Sequence, residues 1–294
     1  MQTRPLPCHS FSSIAKRVCA LLCAAFLIPA ATACSAPRIE GKAEAEQQQS
    51  PCEKAYHEAS INTAVMLGQS QHAIRRYFAA QQAISAWTNT AANCPARFAE
   101  GTLRSAQARH TARFLTDRIA AATAPATLSR FDNVESLDVD AKSLSKAAQA
   151  EDQAGFIMEV LAARSIGHAT LDISDRHKVT SQRLSSFSGA TDKRRKTYDI
   201  TKLIANPDTI TDPATGLEAP TDATVEMNCA RGEISAIAAS SNAANGQAKS
   251  PTAGESQSAE SRTQSLGVLA GLIADRAELA FDWGYPTFDE ALFR

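Results

Sequence analysis

Apolar side chains recur along most of this chain at steps of three and four, the spacing that gathers them on one face of an α-helix. Between Cys52 and Cys94 the stripe reads Ile61, Val65, His72, Ile74, Tyr77, Phe78, Gln81, Ile84 and Trp87, and its phase slips from Gly68 to Gln71. One unbroken helix would hold Cys52 and Cys94 roughly 60 Å apart, at about 1.5 Å per residue. A turn at Gly68 instead brings the two ends together, within the ~7 Å between α-carbons that a disulfide needs. The pattern therefore predicts a helical hairpin closed by a Cys52–Cys94 bridge.

Pro95 suits the first turn of a new helix, where its missing N–H has no partner to lose. That helix is predicted to run to about Ala122, with Phe98, Ala106, Phe114 and Ile119 in the core. Residues 52–123 are read as a helical N-terminal domain and 124–139 as a linker. The next helix spans about Asp140 to Ile166, with Ala147, Ala150, Ala154, Ile157, Val160 and Leu161 inward, and stops at Gly167. Another runs from about Thr170 to Phe187, carrying Ile173, Val179 and Leu184. A third begins near Asp222 and presents Val225, Cys229, Ile234 and Ile237. The fourth has the cleanest stripe, Leu266, Leu269, Ala270, Ile273, Ala277, Ala280 and Phe281, with Asp275, Glu278 and Asp282 mostly off it. Polar stretches at 204–221 and 240–262 read as mobile loops. The aromatic C-terminal end, broken at Gly284 and Pro286, is expected to cap the helices.

An amphipathic helix cannot bury its own stripe, so four of them over 140–294 predict an up-down four-helix bundle. Composition agrees: alanine is abundant, aromatics are only 6%, and β-branched runs are scarce, which favours all-α architecture with thin helix contacts.

The first residues change the picture of where this body resides. Arg4, Lys16 and Arg17 precede an apolar run from Val18 to Ala33, too short for the ~20 residues of a permanent span. A basic start, a short apolar core and a small-residue exit describe an export signal peptide over residues 1–33. The exit, Ala31-Thr32-Ala33-Cys34, resembles the lipobox of bacterial lipoproteins, with Ala31 where Leu is most common. That resemblance implies cleavage before Cys34 and attachment of a diacylglycerol thioether to its sulfur. Ala31-x-Ala33 also fits plain secretion with cleavage at the same bond. Residues 34–51 are almost free of apolar side chains and read as a disordered tether, so membrane attachment runs through lipid on Cys34. Two or more acyl chains anchor durably where one does not.

Loss of residues 1–33 removes three cations and no acid, taking the formal net charge from −1 to −4. A mildly acidic body argues against nucleic acid as a partner. Of the seven cysteines, Cys8, Cys19 and Cys23 leave with the signal. Cys34, Cys52, Cys94 and Cys229 remain, destined for an oxidising compartment. They form no Cys-x-x-Cys pair, so zinc clusters and thioredoxin-like redox chemistry lack their signature.

Residues 150–168, with Glu151, Ala154, Phe156 and Gly167, followed by the helix bearing His177, resemble the opening helix pair of a ferritin-like domain found in uncharacterised actinobacterial envelope proteins. The stretch from Asp275 to Phe288 is similar to that family's last helix with its Trp. The resemblance covers 140–294 and implies a ferritin-like bundle. A di-iron centre needs Glu-x-x-His pairs on facing helices. The residues three before His57, His72, His110, His168 and His177 are Lys54, Gln69, Gln107, Ser165 and Ser174, none of them acidic. No catalytic residue, cofactor or metal is assigned on this basis. Glu151 and His177 stand as candidates for a proton-transfer pair across neighbouring helices; a surface charge and a satisfied core histidine account for them equally. Arg164 with His168, Trp87, Trp283 and Cys229 are further residues of interest, each also explained by ordinary packing or solvation. The expected function is a non-catalytic binding or scaffolding module of the cell envelope, with an envelope protein or a small molecule as ligand. A metal-binding protein or enzyme using the bundle core is the alternative.

Overall fold

The computed structural model describes residues 49–119, 126, 128, 131–245 and 253–293. The expected signal segment 1–33, Cys34, and the tether up to Gln48 lie outside the described residues. Eight α-helices and one small hairpin are present among them: α1 (Pro51–Leu67), α2 (Ala73–Asn93), α3 (Phe98–Arg118), α4 (Ala141–Ala163), α5 (Leu171–Ser188), α6 (Thr201–Ala205), β1 (Thr209–Thr211), β2 (Glu218–Pro220), α7 (Thr221–Asn245) and α8 (Ala253–Asp282). No helix among them is long and apolar enough to cross a membrane.

Helix α1 starts where its chemistry requires. Ser50 accepts from the Glu53 amide and Glu53 reaches back to the Ser50 amide, with Pro51 in the first turn, so orphan donors at both positions are satisfied. The chain breaks after Leu67, turns through Gly68–His72 and returns as α2. The hairpin closes through the predicted Cys52–Cys94 disulfide, with α-carbons 5.0 Å apart. Trp87 Nε1 donates to Thr63 Oγ1 at 2.8 Å across the pair.

The face that α2 buries is the expected one only in part: Trp87 is buried and Tyr77 and Ile84 pack against the same cluster. Ala79, Ala80, Ala83, Ala86 and Trp87 are buried, whereas Ile61, Ile74 and Phe78 are exposed and Phe114 of α3 is 53% exposed. Alanines win because α2 touches α1, α3 and α8, and three close neighbours leave room only for small side chains. Gly101 of α3 marks the tightest point: a Cβ there would lie 2.6 Å from Ala91 N and 2.7 Å from Trp87 O. Gly101→Ala is therefore expected to cost about 2 kcal/mol through overpacking, although alanine favours a helix by about 1 kcal/mol. A higher melting temperature for this variant would contradict the crossing.

Neighbouring helices follow the order α5, α4, α7, α8, α3, α2, α1. Residues 49–294 form one compact unit, and Phe98 and Leu103 of α3 share an apolar cluster with Leu144 of α4, Met227 of α7 and Ile273 of α8. The segment expected to link two domains, 124–139, thus joins helices with a common core. The reason is α8, whose apolar stripe is buried as read, while its acidic side is buried too. Asp275 and Glu278 pair with Arg109 and Arg113 of α3, and Asp282 meets His110 Nδ1 at 2.6 Å.

The described parts of the stretches expected to be mobile loops have largely regular structure, while residues 246–252 lie outside the described residues. Residues 209–220 form the antiparallel hairpin, Ile210 opposite Ala219. Buried Asp212 in its turn accepts from Arg231 Nη1 at 2.6 Å, the Ala214 amide at 2.9 Å and Tyr285 Oη at 2.5 Å. Burial alone would raise its pKa, but these donors lower it. This anchor ties the hairpin to α7 and to the C-terminal end, where Tyr285 and Leu292 fold back as a buried cap. In the 240–262 stretch, α7 continues to Asn245 and α8 begins at Ala253.

Candidate functional site

Helices α4 and α5 approach closely at Gly155, where a Cβ would lie 3.1 Å from Ser174 O and 3.2 Å from His177 Cβ. Two hydroxyls lock the register: Ser174 Oγ donates to Gly155 O at 2.8 Å and Ser181 Oγ to Ala148 O at 2.7 Å. The inward stripe of α5 is accordingly Ser174, His177, Thr180, Ser181 and Leu184. Val179, expected inward, is 45% exposed, and Ile173 is half-buried. Polar residues take the core positions because each finds a partner there.

Between the two hydroxyl contacts Glu151 and His177 do meet. Both are fully buried, with His177 Nδ1 2.6 Å from Glu151 Oε2. The opposite ring nitrogen, Nε2, is 2.9 Å from Glu226 Oε1 of α7. Arg276 of α8 completes the group. Its Nε donates to Glu151 Oε1 at 2.7 Å, its Nη1 to Leu272 O at 3.0 Å and its Nη2 to Thr180 Oγ1 at 3.2 Å. Glu233, two turns beyond Glu226 on α7, lies with Oε2 4.0 Å from Arg276 Nε. The Cys229 thiol, between the two glutamates, is buried and free.

The fields in this cluster are strong because its members are buried in the low-dielectric interior. Burial alone would push Glu151 up, yet Arg276 and His177 hold it down at about 2. Burial alone would depress His177, but Glu226 and Glu151 raise it to about 9, so the imidazole is a cation with a carboxyl group at each nitrogen. For Glu233 the balance goes the other way: burial first, and the Glu151 carboxylate second, outweigh the pull of Arg276 and push it well above the usual carboxyl range. Burial also raises Cys229, reinforced by Glu151, Glu233 and Glu226. A thiol held this way is a poor nucleophile as it stands.

The sequence thus points correctly to the meeting of Glu151 and His177, while three members escape it. Arg276 stands on the α8 apolar stripe, three after Ile273 and four before Ala280. Glu226, Cys229 and Glu233 share one face of α7 at steps of three and four. Charged residues in register with a buried face are the signal that could have found them. Elsewhere, His168 stacks on Trp283 with centroids 5.4 Å apart and sits 2.9 Å from Asp222 Oδ2, so its partner is a carboxylate rather than Arg164. Trp87 is core packing of the hairpin.

On the opposite flank of α7 lies a surface groove of about 740 Å³. Leu103, Ile234, Leu292 and Phe293 form its apolar lining, and Glu100, Arg104, Arg231 and Glu290 supply charge. A second depression of about 310 Å³ adjoins it, sharing Arg104, Glu290 and Phe293 and adding Leu67 and Phe288. Phe288 is 56% exposed and the Arg104 guanidinium sits 4.7 Å over the Phe293 ring. Three of these charges are engaged, Arg104 with Glu100 at 3.1 Å and Arg231 with Asp212. Neither depression pairs a nucleophile with a base. Neither a family model, nor a curated protein, nor a solved structure matches this chain.

Proposed function

We propose that the chain is an exported lipoprotein, held by acyl chains on Cys34 at the outer face of the cytoplasmic membrane. Its helical body is a non-catalytic module that docks a segment of another envelope protein. The observation that carries the binding reading is the double groove beside α3 and α7. It exposes aromatic and aliphatic surface ringed by charges of both signs, the composition of a protein-recognition patch. The chain's own C-terminal turn, Glu290–Phe293, already lies along it with Leu292 buried, which is how an apolar peptide segment would fit. The ferritin-like reading of residues 140–294 is supported by the convergence of α4, α5, α7 and α8 on one core cluster. Export is supported by the basic-then-apolar start and by the Cys52–Cys94 bridge, which persists in an oxidising compartment.

A photo-reactive residue at Ala96 in living cells tests the docking. A discrete heavier adduct in the membrane fraction is expected, lost when Ser235→Trp fills the groove. An adduct that persists with Ser235→Trp, or none at all, would end the docking proposal. Recovery of the natural protein from the cytosol with residues 1–33 attached would end the anchoring proposal.

A further inference from the structure

We propose that Glu151, His177 and Cys229 form a site for one divalent transition-metal ion of the zinc class, in the core rather than in the docking groove. The three side chains come from α4, α5 and α7, are fully buried or nearly so, and offer an oxygen, a nitrogen and a sulfur within 4.8 Å of one another. Donor atoms at about 2.0–2.3 Å from a tetrahedral ion lie about 3.3–3.8 Å apart, so closure draws the widest pair together by up to about 1 Å and releases one of the carboxylate hydrogen bonds of His177. A mixed imidazole, thiolate and carboxylate set selects zinc-like ions over magnesium or calcium.

The same cluster also holds buried carboxyl oxygens without a partner. Both oxygens of Glu233, which is 1% exposed, lack any hydrogen-bond donor, as does Glu226 Oε2. Buried carboxyl oxygens are rarely left this way. Arg276 binds Glu151 Oε1 and lies 4.0 Å from Glu233 Oε2. Binding would balance: the thiol proton and the proton on the ligating imidazole nitrogen leave, and a doubly charged ion takes their place. Access exists beside α6, where a cavity of about 210 Å³ has Cys229 in its wall, with Asp199, Gln153 and Asn228 among its other lining residues.

The test is titration of the full-length, chelator-treated protein with Co²⁺ and Zn²⁺. One ion per chain is expected, with a thiolate-to-cobalt charge-transfer band that zinc bleaches. Cys229→Ser should abolish that band and weaken binding by about 100-fold or more, while keeping the wild-type urea midpoint. If the serine variant does not fold, Cys229→Ala replaces it, and slower alkylation of wild-type Cys229 in the presence of zinc gives a second readout. No retained ion, or equal binding by the Cys229 variant, would overturn the site.

Discussion

Arg276→Met is expected to lower the unfolding free energy by about 3–5 kcal/mol, the cost of breaking a buried ion pair by deleting one partner. Domains of this kind are typically stable by about 5–15 kcal/mol, so the variant loses a large share of its margin and unfolds at a lower urea concentration. The guanidinium is fully buried and serves Glu151, Leu272 O and Thr180 at once. Its loss leaves Glu151 with His177 alone and Glu233 with no cation nearby. Methionine replaces the aliphatic stem but offers no donor. Lysine does not rescue, because one ammonium cannot reproduce the planar fork. Adding Glu151→Leu, His177→Leu, Glu226→Leu and Glu233→Leu to Arg276→Met should recover part of the loss, since apolar replacements of a whole buried network are often tolerated. Urea denaturation monitored by far-UV circular dichroism measures this, and an Arg276→Met midpoint within error of wild type would refute the reading of the cluster.

Cys52→Ser with Cys94→Ser should cost about 4 kcal/mol, the loop-entropy expectation for a bridge spanning 42 residues. The damage should be local first. Helix α1 packs mainly on α2 and only slightly on α3, so without the bridge its N-terminal end has little else to hold it. Raised hydrogen exchange across α1 and proteolytic nicking between Gly68 and His72 are expected, while α4, α5, α7 and α8 stay protected. Dithiothreitol should reproduce the double variant in the wild-type protein. Equal exchange in α1 with and without reductant would show that packing, not the bridge, holds the hairpin.

Helical class, the turn at Gly68 and the α8 stripe are legible in the sequence because they depend on periodicity along a single segment. The buried face of α2 is legible only in part. Ile74 and Phe78 are more apolar than Ala79 and Ala83, but the space beside three neighbouring helices decides in favour of the smaller residues. The same logic hides α5, where Ser174 and Ser181 look like a solvated face. Only the approach of α4 at Gly155 gives their hydroxyls carbonyl partners. The hairpin at 209–220 reads as a loop because its stability comes from Asp212 capturing Arg231 and Tyr285, residues 19 and 73 positions away.

The sequence by itself determined that this chain is a set of helices, where most of them start and stop, and which two cysteines close the first hairpin. Each of these follows from spacing between residues near one another in the chain or from the reach of a disulfide. The tertiary structure alone decided that residues on both sides of 124–139 share one core, and that Glu151, His177, Glu226, Glu233, Cys229 and Arg276 form one buried cluster. Burial energies and ion pairing depend on what lies across the gap between helices, and no periodicity within a helix records its neighbours.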